Sequence, residues 1–323
     1  MRKFIARRLL QLIPLLIGVS LISFFVMHLA PGDPTALFID PNINPQELAR
    51  VRVNWGLDQP IHIQYVKWLW NALRLDFGRS YTSGQPVIVE IAERLPNTLL
   101  LMISSYILTL LICIPVGVYS AVKKGGWFDN LFTVLSFAGM AIPTFWVGLM
   151  LMLLFAVQLG WLPAVGMFDP LIREKGIVIR VMDVLRHMLL PLIAMTVGSL
   201  AGLTRYQRAA MLEVLNQDFI RTARAKGLPE RIVIFKHALR NALIPIVTIM
   251  GLSLPDLFGG AFIIETIFAW PGMGRLGVQA IFQRNYPLIM GIVMFSALLI
   301  VLGNLFADIG YALVDPRIRY EKK

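Results

Sequence analysis

Asp218-Phe219-Ile220-Arg221-Thr222-Ala223-Arg224-Ala225-Lys226-Gly227-Leu228-Pro229 is the centre of a polar break, residues 205–241, in a chain otherwise compatible with hydrocarbon. The break carries eight Lys/Arg (205, 208, 221, 224, 226, 231, 236 and 240) against three acids, Glu213, Asp218 and Glu230. A basic segment of this length between two apolar spans belongs on the cytoplasmic side of a membrane. Ala223 and Ala225 are small and helix-compatible, Gly227 suits a helix C-terminus, and Pro229 suits the start of the next helix. The stretch therefore predicts helix, stop, helix, with a small-residue surface that another protein can approach closely. By charge alone it reads equally well as a plain inter-span connector.

Composition sets the class. With 57% hydrophobic and 15% charged residues among 323, the chain lacks the polar surface to cover a soluble core. Its net charge of +11 is placed unevenly. With the spans assigned below, 18 of the 30 Lys/Arg but only 6 of the 19 acids fall on the cytoplasmic side. A basic inner face beside anionic lipid explains this better than a nucleic-acid surface. The single Cys113 lies in an apolar span, which excludes an intrachain disulfide framework or a Cys-based metal cluster.

Six spans are expected in an all-α polytopic membrane protein. Leu9 to Leu29 has no charge, is long enough to cross, and follows the basic Arg2, Lys3, Arg7 and Arg8. A secretory signal would have a shorter apolar region and a small-residue cleavage site. Here Met27-His28-Leu29-Ala30-Pro31 follows, so an uncleaved first span is expected, with His28 interfacial. Residues 30–96 form an extracytoplasmic segment whose six Lys/Arg and seven acids nearly cancel. Within it, Ile61 to Leu75 places Tyr65, Trp68, Leu69 and Leu73 near one helical face. That fits an interfacial helix with Trp68 and Trp70 at headgroup level, or packing inside a small external domain.

The core, residues 97–314, holds five further spans and the loop 205–241. Thr98–Val122 is the second. Leu131–Val157 is the third, and Pro143 is expected to kink it by removing a backbone hydrogen bond and crowding the preceding turn. Residues 159–187 lie outside, and Ile177–Leu185 reads as a strand or a surface helix. The fourth span, Met188–Thr204, is short and is expected to continue through Tyr206–Leu215 as one helix. The fifth, Ala242–Ile264, is interrupted by Pro245, Gly251, Pro255-Asp256 and Gly259-Gly260. Such irregular backbone is tolerated at membrane depth only beside protein or water. Asp256 there reads as a pathway residue meeting a cationic group, or as a partner for backbone freed at the kink. Leu288–Ala307 is the last span, with Asn304 and Asp308 one turn apart on one face. Residues 315–323 form a cytoplasmic tail.

No phosphate-binding G-x-x-x-x-G-K-[ST], H-E-x-x-H or G-x-S-x-G occurs, and the four histidines are scattered. Uphill movement of solute would therefore draw on an ion gradient or on another polypeptide. A gradient-coupled carrier normally shows ionisable relays in several spans. Only Asp256 and the peripheral Asp308 qualify, which favours an external motor.

Arg221 to Gly227, followed by His237-Ala238-Leu239, resembles the "EAA" loop of binding-protein-dependent ABC importer permeases of the oligopeptide/dipeptide/nickel branch. The family's glycine falls on Gly227, its second alanine on Ala223, and its "I-x-L" on His237-Ala238-Leu239. Arg221 and Thr222 replace the glutamate and first alanine. Arg240 stands at the closing proline position, with Pro245 five residues later. Trp55 to Pro60, Asp76-Phe77-Gly78, Ala141 to Trp146, Gly160 to Gly166 and Glu265 to Gly274 are similar to the same branch. The last is expected to line the outer mouth, where a re-entrant turn of small residues can pack against helices.

The resemblance implies a type I importer permease in the cytoplasmic membrane, both termini inside, moving di- or oligopeptides, or alternatively nickel or glutathione. It implies a second permease subunit, two cytoplasmic ATPases carrying ATP and Mg, and an extracytoplasmic solute-binding protein. This chain would bind no cofactor, metal or nucleic acid and catalyse nothing itself. Arg221, Thr222, Ala223, Arg224, Ala225, Lys226, Gly227 and Leu228 would couple to the ATPase. Asp256, Gly259, Gly260 and Pro143 would border the translocation pathway.

Overall fold

A computed structural model describes residues 2–29, 45–54, 56–172, 174–253 and 261–314. Among these the chain is helical, with one isolated bridge between Arg79 and Pro86 and no strand. It divides into two compact units, residues 1–98, 258–262 and 271–306 in the first and 99–257, 263–270 and 307–323 in the second.

The first unit contains α1 (Arg2–Leu29), α2 (Pro45–Asn54) and α3 (Ile61–Ala72). Near the end of α1, Phe24 and Met27 are buried with Met290, and Tyr65 and Trp68 of α3 pack on them. The Ser20 hydroxyl lies 2.9 Å from the Tyr65 phenol, and His28 stacks on Phe24 at 4.2 Å. Of the face expected of this stretch, Tyr65 and Trp68 are used for packing, whereas Leu73 just after α3 is exposed, as is Trp70. Trp55 lies outside the described residues.

Four described helices are long and apolar enough to cross a membrane: Leu10–Leu29, Val87–Val122, Glu230–Ile249 and Tyr286–Leu305. The second belongs to α4 (Val87–Val122), whose 36 residues exceed what ~30 Å of hydrocarbon requires. α5 (Trp127–Ala141) and α6 (Thr144–Leu151) pass the same test together and meet at 101°. Counted as one span they make five, one short of the six expected. The bend is sharper than a kink because Ile142, preceding Pro143, is extended (φ −88°, ψ 124°) and leaves the helix altogether. A π-helical segment, Met152–Gln158, then leads to the turn at Gly160.

α7 (Ile177–Leu215) is one helix of 39 residues containing Pro191. The alternative at 177–185 resolves as helix, and the stretch 188–204 continues through 206–215 as expected. That stretch is 17 residues long, at the lower limit for crossing. Small residues let α5 and α6 approach α7: a Cβ on Gly198 would lie 2.8 Å from Thr144 Oγ1, and one on Gly139 3.2 Å from Ala201.

Beyond the basic break, α9 (Glu230–Ile232), a π-helical segment (Val233–Ala238), α10 (Leu239–Ala242) and α11 (Ile244–Ser253) follow, and a membrane-competent helix runs from Glu230 to Ile249. It starts inside the basic break, well before the expected Ala242. Val233, Ala238 and Ala242 turn inward while Arg231, Lys236 and Arg240 stay exposed, so one helix carries both charge and apolar surface. α12 (Phe262–Ile267), α13 (Met273–Phe282) and α14 (Tyr286–Val314) complete the chain.

Candidate functional site

The polar break folds as helix, stop, helix. α7 ends at Leu215, and α8 (Asp218–Ala225) follows after Asn216 and Gln217. Gly227 takes φ +75°. Its N–H donates to Arg224 O at 2.9 Å, and Leu228 N–H donates to Ala223 O at 3.4 Å. These two bonds form a Schellman stop, which needs a left-handed residue at the glycine position. Arg224 spans the turn, donating through Nη2 to Glu230 Oε1 at 2.7 Å and through Nε to Oε2 at 3.2 Å. That contact raises the Arg224 pKa above its ordinary value.

The two faces of α8 differ. Ile220 and Ala223 are buried in a cluster with Val118 and Ala121 of α4, Met211 and Val214 of α7, and Val233, Ala238 and Ala242. Arg221, Thr222, Arg224, Ala225, Lys226 and Leu228 are exposed. The expected small-residue surface is therefore split: Ala225 is accessible, while Ala223 serves the anchor. The anchor thus reaches α4, α7 and the helix after Pro229.

Of the four expected pathway residues, Asp256, Gly259 and Gly260 lie outside the described residues. Pro143 stands at the break between α5 and α6. Two stretches singled out in the sequence, Gly160 to Gly166 and Glu265 to Gly274, meet at Phe268, which also packs on α6. The α6 residue Gly148 faces Phe268, where an added Cβ would sit 3.1 Å from the ring, and Gly166 N–H donates to Phe268 O at 2.8 Å. Trp270 is fully buried with Leu101 and Met188. The stretch from Glu265 was expected to be a turn of small residues; instead its aromatics Phe268 and Trp270 fill the interior. Gly274 keeps the small-residue role, since a Cβ there would stand 2.5 Å from Phe262 Cα.

Sequence reasoning missed several buried polar positions, Asp129, Gln207 and Asn285 among them. Asp129, 2% exposed, accepts two bonds from Arg208, Nε–Oδ1 at 2.5 Å and Nη2–Oδ2 at 2.8 Å, and one from Gly125 N–H at 2.9 Å. The signal was present as a lone acid beside a basic turn. Gln207 is fully buried with neither amide atom hydrogen-bonded, against Gly117. Asn285, also fully buried, donates to Ser80 Oγ at 2.8 Å and accepts from Tyr81 N–H at 3.1 Å, so one amide shapes the 80–86 turn. In that turn burial, with Tyr286 nearby, pushes the Tyr81 phenol above its usual range.

Comparison with known proteins gives a consistent picture. Residues 113–320 match the family described as "Binding-protein-dependent transport system inner membrane component", and residues 1–102 match its N-terminal counterpart. The chain is 48% identical to the oligopeptide transport system permease protein AppB of Bacillus subtilis, over 99% of this chain and 100% of that protein. It is 40% identical to the glutathione transport system permease protein GsiC of Salmonella paratyphi A, with the same coverage. Identity to the dipeptide transport system permease protein DppB of Alkalihalophilus pseudofirmus is 39%, again over 99% of this chain and 100% of that protein.

Proposed function

Because this chain belongs to the family of binding-protein-dependent transport system inner membrane components, we propose that it is the permease subunit through which an ABC importer moves di- or oligopeptides. The names of its oligopeptide and dipeptide relatives support that cargo. The glutathione relative supports a second reading within the same class, a short thiol peptide. ATP and Mg reside on two partner ATPases, and hydrolysis is theirs. A second, similar permease subunit completes the channel, and an extracytoplasmic binding protein delivers the solute.

In this reading six spans place both termini in the cytoplasm, residues 30–96 outside, and residues 205–241 against the ATPases. The observation that carries it is the two-sided build of α8: Ile220 and Ala223 anchored among α4, α7 and the 230–242 helix, with Arg221, Arg224 and Lys226 exposed on the other side. ATP binding draws the ATPases together, α8 moves with them, and the helices it is anchored to switch the pathway between inward-facing and outward-facing. ATP can bias that switch only by binding the closed ATPase pair more tightly than the open one. Pro143, Asp256, Gly259 and Gly260 are assigned to the pathway, and Asp256→Asn should then impair uptake of cationic cargo.

The deciding experiment reconstitutes the chain with its ATPases, partner permease and binding protein in proteoliposomes. Solute uptake should require ATP, and the solute retained by the binding protein should be a peptide. Uptake by this chain alone, driven by an ion gradient, would replace this reading with a secondary carrier.

A further inference from the structure

Where the uncharged stretch of α7 ends at Arg205, α5 and α7 border an open cavity of about 440 Å³ lined by Thr133, Phe137, Met140, Arg205, Tyr206 and Arg208 among others. Its polar lining consists of two guanidinium groups and two hydroxyls, with no carboxylate. Arg208 is committed to Asp129 through Nε and Nη2, which cancels its charge locally and leaves Nη1 uncommitted to that carboxylate. Arg205 has no carboxylate within ion-pair distance among the described residues. Its guanidinium carbon sits 4.7 Å over the Phe137 ring, and Nη1 lies 3.3 Å from Met140 Sδ. An aromatic face and a thioether only partly offset a guanidinium charge, so the cavity retains a net attraction for an anion.

The apolar floor narrows the choice of anion. Phe137 and Met140 line the cavity and are 56% and 55% exposed; Val134, three residues before Phe137 along α5 and outside the lining, is 65% exposed and continues their row. A hydrated inorganic anion gains nothing from that stripe, whereas an acyl chain covers it. Basic pockets between spanning helices on the cytoplasmic side recognise anionic headgroups. We infer that this cavity seats one anionic phospholipid of the inner leaflet, its phosphate on Arg205 and the free Nη1 of Arg208, its acyl chain along Val134, Phe137 and Met140. The inference rests on the proposed orientation, with Arg205 on the cytoplasmic side.

The test uses the assembled importer, purified with its ATPases and exchanged into an equal mixture of phosphatidylglycerol and phosphatidylcholine. Retained lipid is counted by native mass spectrometry. Phosphatidylglycerol should be retained in preference, and Arg205→Gln should reduce that preference about fivefold, as expected for one basic side chain near the surface. Arg205→Lys should keep most of it. Equal retention of the two lipids, or an unchanged preference in Arg205→Gln, overturns the inference. So does loss of the preference in excess inorganic phosphate, which assigns the cavity to a free anion. The same holds if no lipid is retained by the assembled complex, which means that the second permease subunit covers the cavity. ATPase co-purification, followed in the same samples, separates these outcomes from failure of the orientation: a wrong orientation loses the ATPases from wild type and variant alike.

Discussion

Arg208 grips Asp129 with two nitrogens, Nε–Oδ1 at 2.5 Å and Nη2–Oδ2 at 2.8 Å, and the pair joins α7 to the first turn of α5. The carboxylate is almost fully buried and the guanidinium mostly so. Removing one member leaves the other charge without its counter-ion in a poorly solvated place, a loss of about 3–5 kcal/mol for buried pairs. Asp129→Asn should therefore lower the thermal midpoint of the detergent-solubilised subunit by several degrees. Asp129→Asn combined with Arg208→Met should recover part of that loss. A single variant as stable as wild type would show that the pair contributes nothing.

Gly227 makes a different kind of contribution. A Cβ there would meet nothing within 4 Å, so its requirement is the left-handed backbone at φ +75° rather than space. Gly227→Asn should be tolerated, because asparagine visits this region readily. Gly227→Val should cost about 1–3 kcal/mol of local stability, frees the end of α8, and weakens ATPase co-purification. Equal co-purification by both variants would dissociate the Schellman stop from docking.

Gln207 is fully buried with both amide atoms unpartnered, a state that costs about 1–3 kcal/mol per unsatisfied group. Gln207→Met keeps the volume and removes both polar atoms, so the thermal midpoint should rise. Gly117→Ala should lower it, since the new Cβ would stand 2.8 Å from Gln207 Cβ and 3.1 Å from the Arg208 amide nitrogen. A fall in midpoint for Gln207→Met would mean that the amide is hydrogen-bonded in the folded protein.

The helix-stop-helix at 218–230 was readable because glycine and proline act locally: φ at Gly227 and the absent N–H at Pro229 do not depend on distant contacts. Pro143 was readable as a disruption but not as a 101° bend, since the angle depends on how α6 seats on α7 through Gly198. The start of the helix at Glu230 was hidden because Arg231, Lys236 and Arg240 mark a loop by charge, while their neighbours Val233, Ala238 and Ala242 bury the other face. Nor could sequence tell which alanine of α8 faces inward. Ala223 and Ala225 are alike in propensity, and only packing against Met211 and Val214 separates them.

That separation gives the sharpest test of the coupling surface. An aspartate at 223 would enter an apolar cluster with no cation among its members, so Ala223→Asp should fail to accumulate or should unfold early. An aspartate at 225 stands in water, so Ala225→Asp should leave the unfolding free energy within about 0.5 kcal/mol of wild type, as surface substitutions do. It nevertheless adds a negative charge to a basic face, and should reduce ATPase co-purification and ATP-dependent uptake together. A stable Ala225→Asp subunit that still retains its ATPases and transports normally would show that this face of α8 does not carry the coupling.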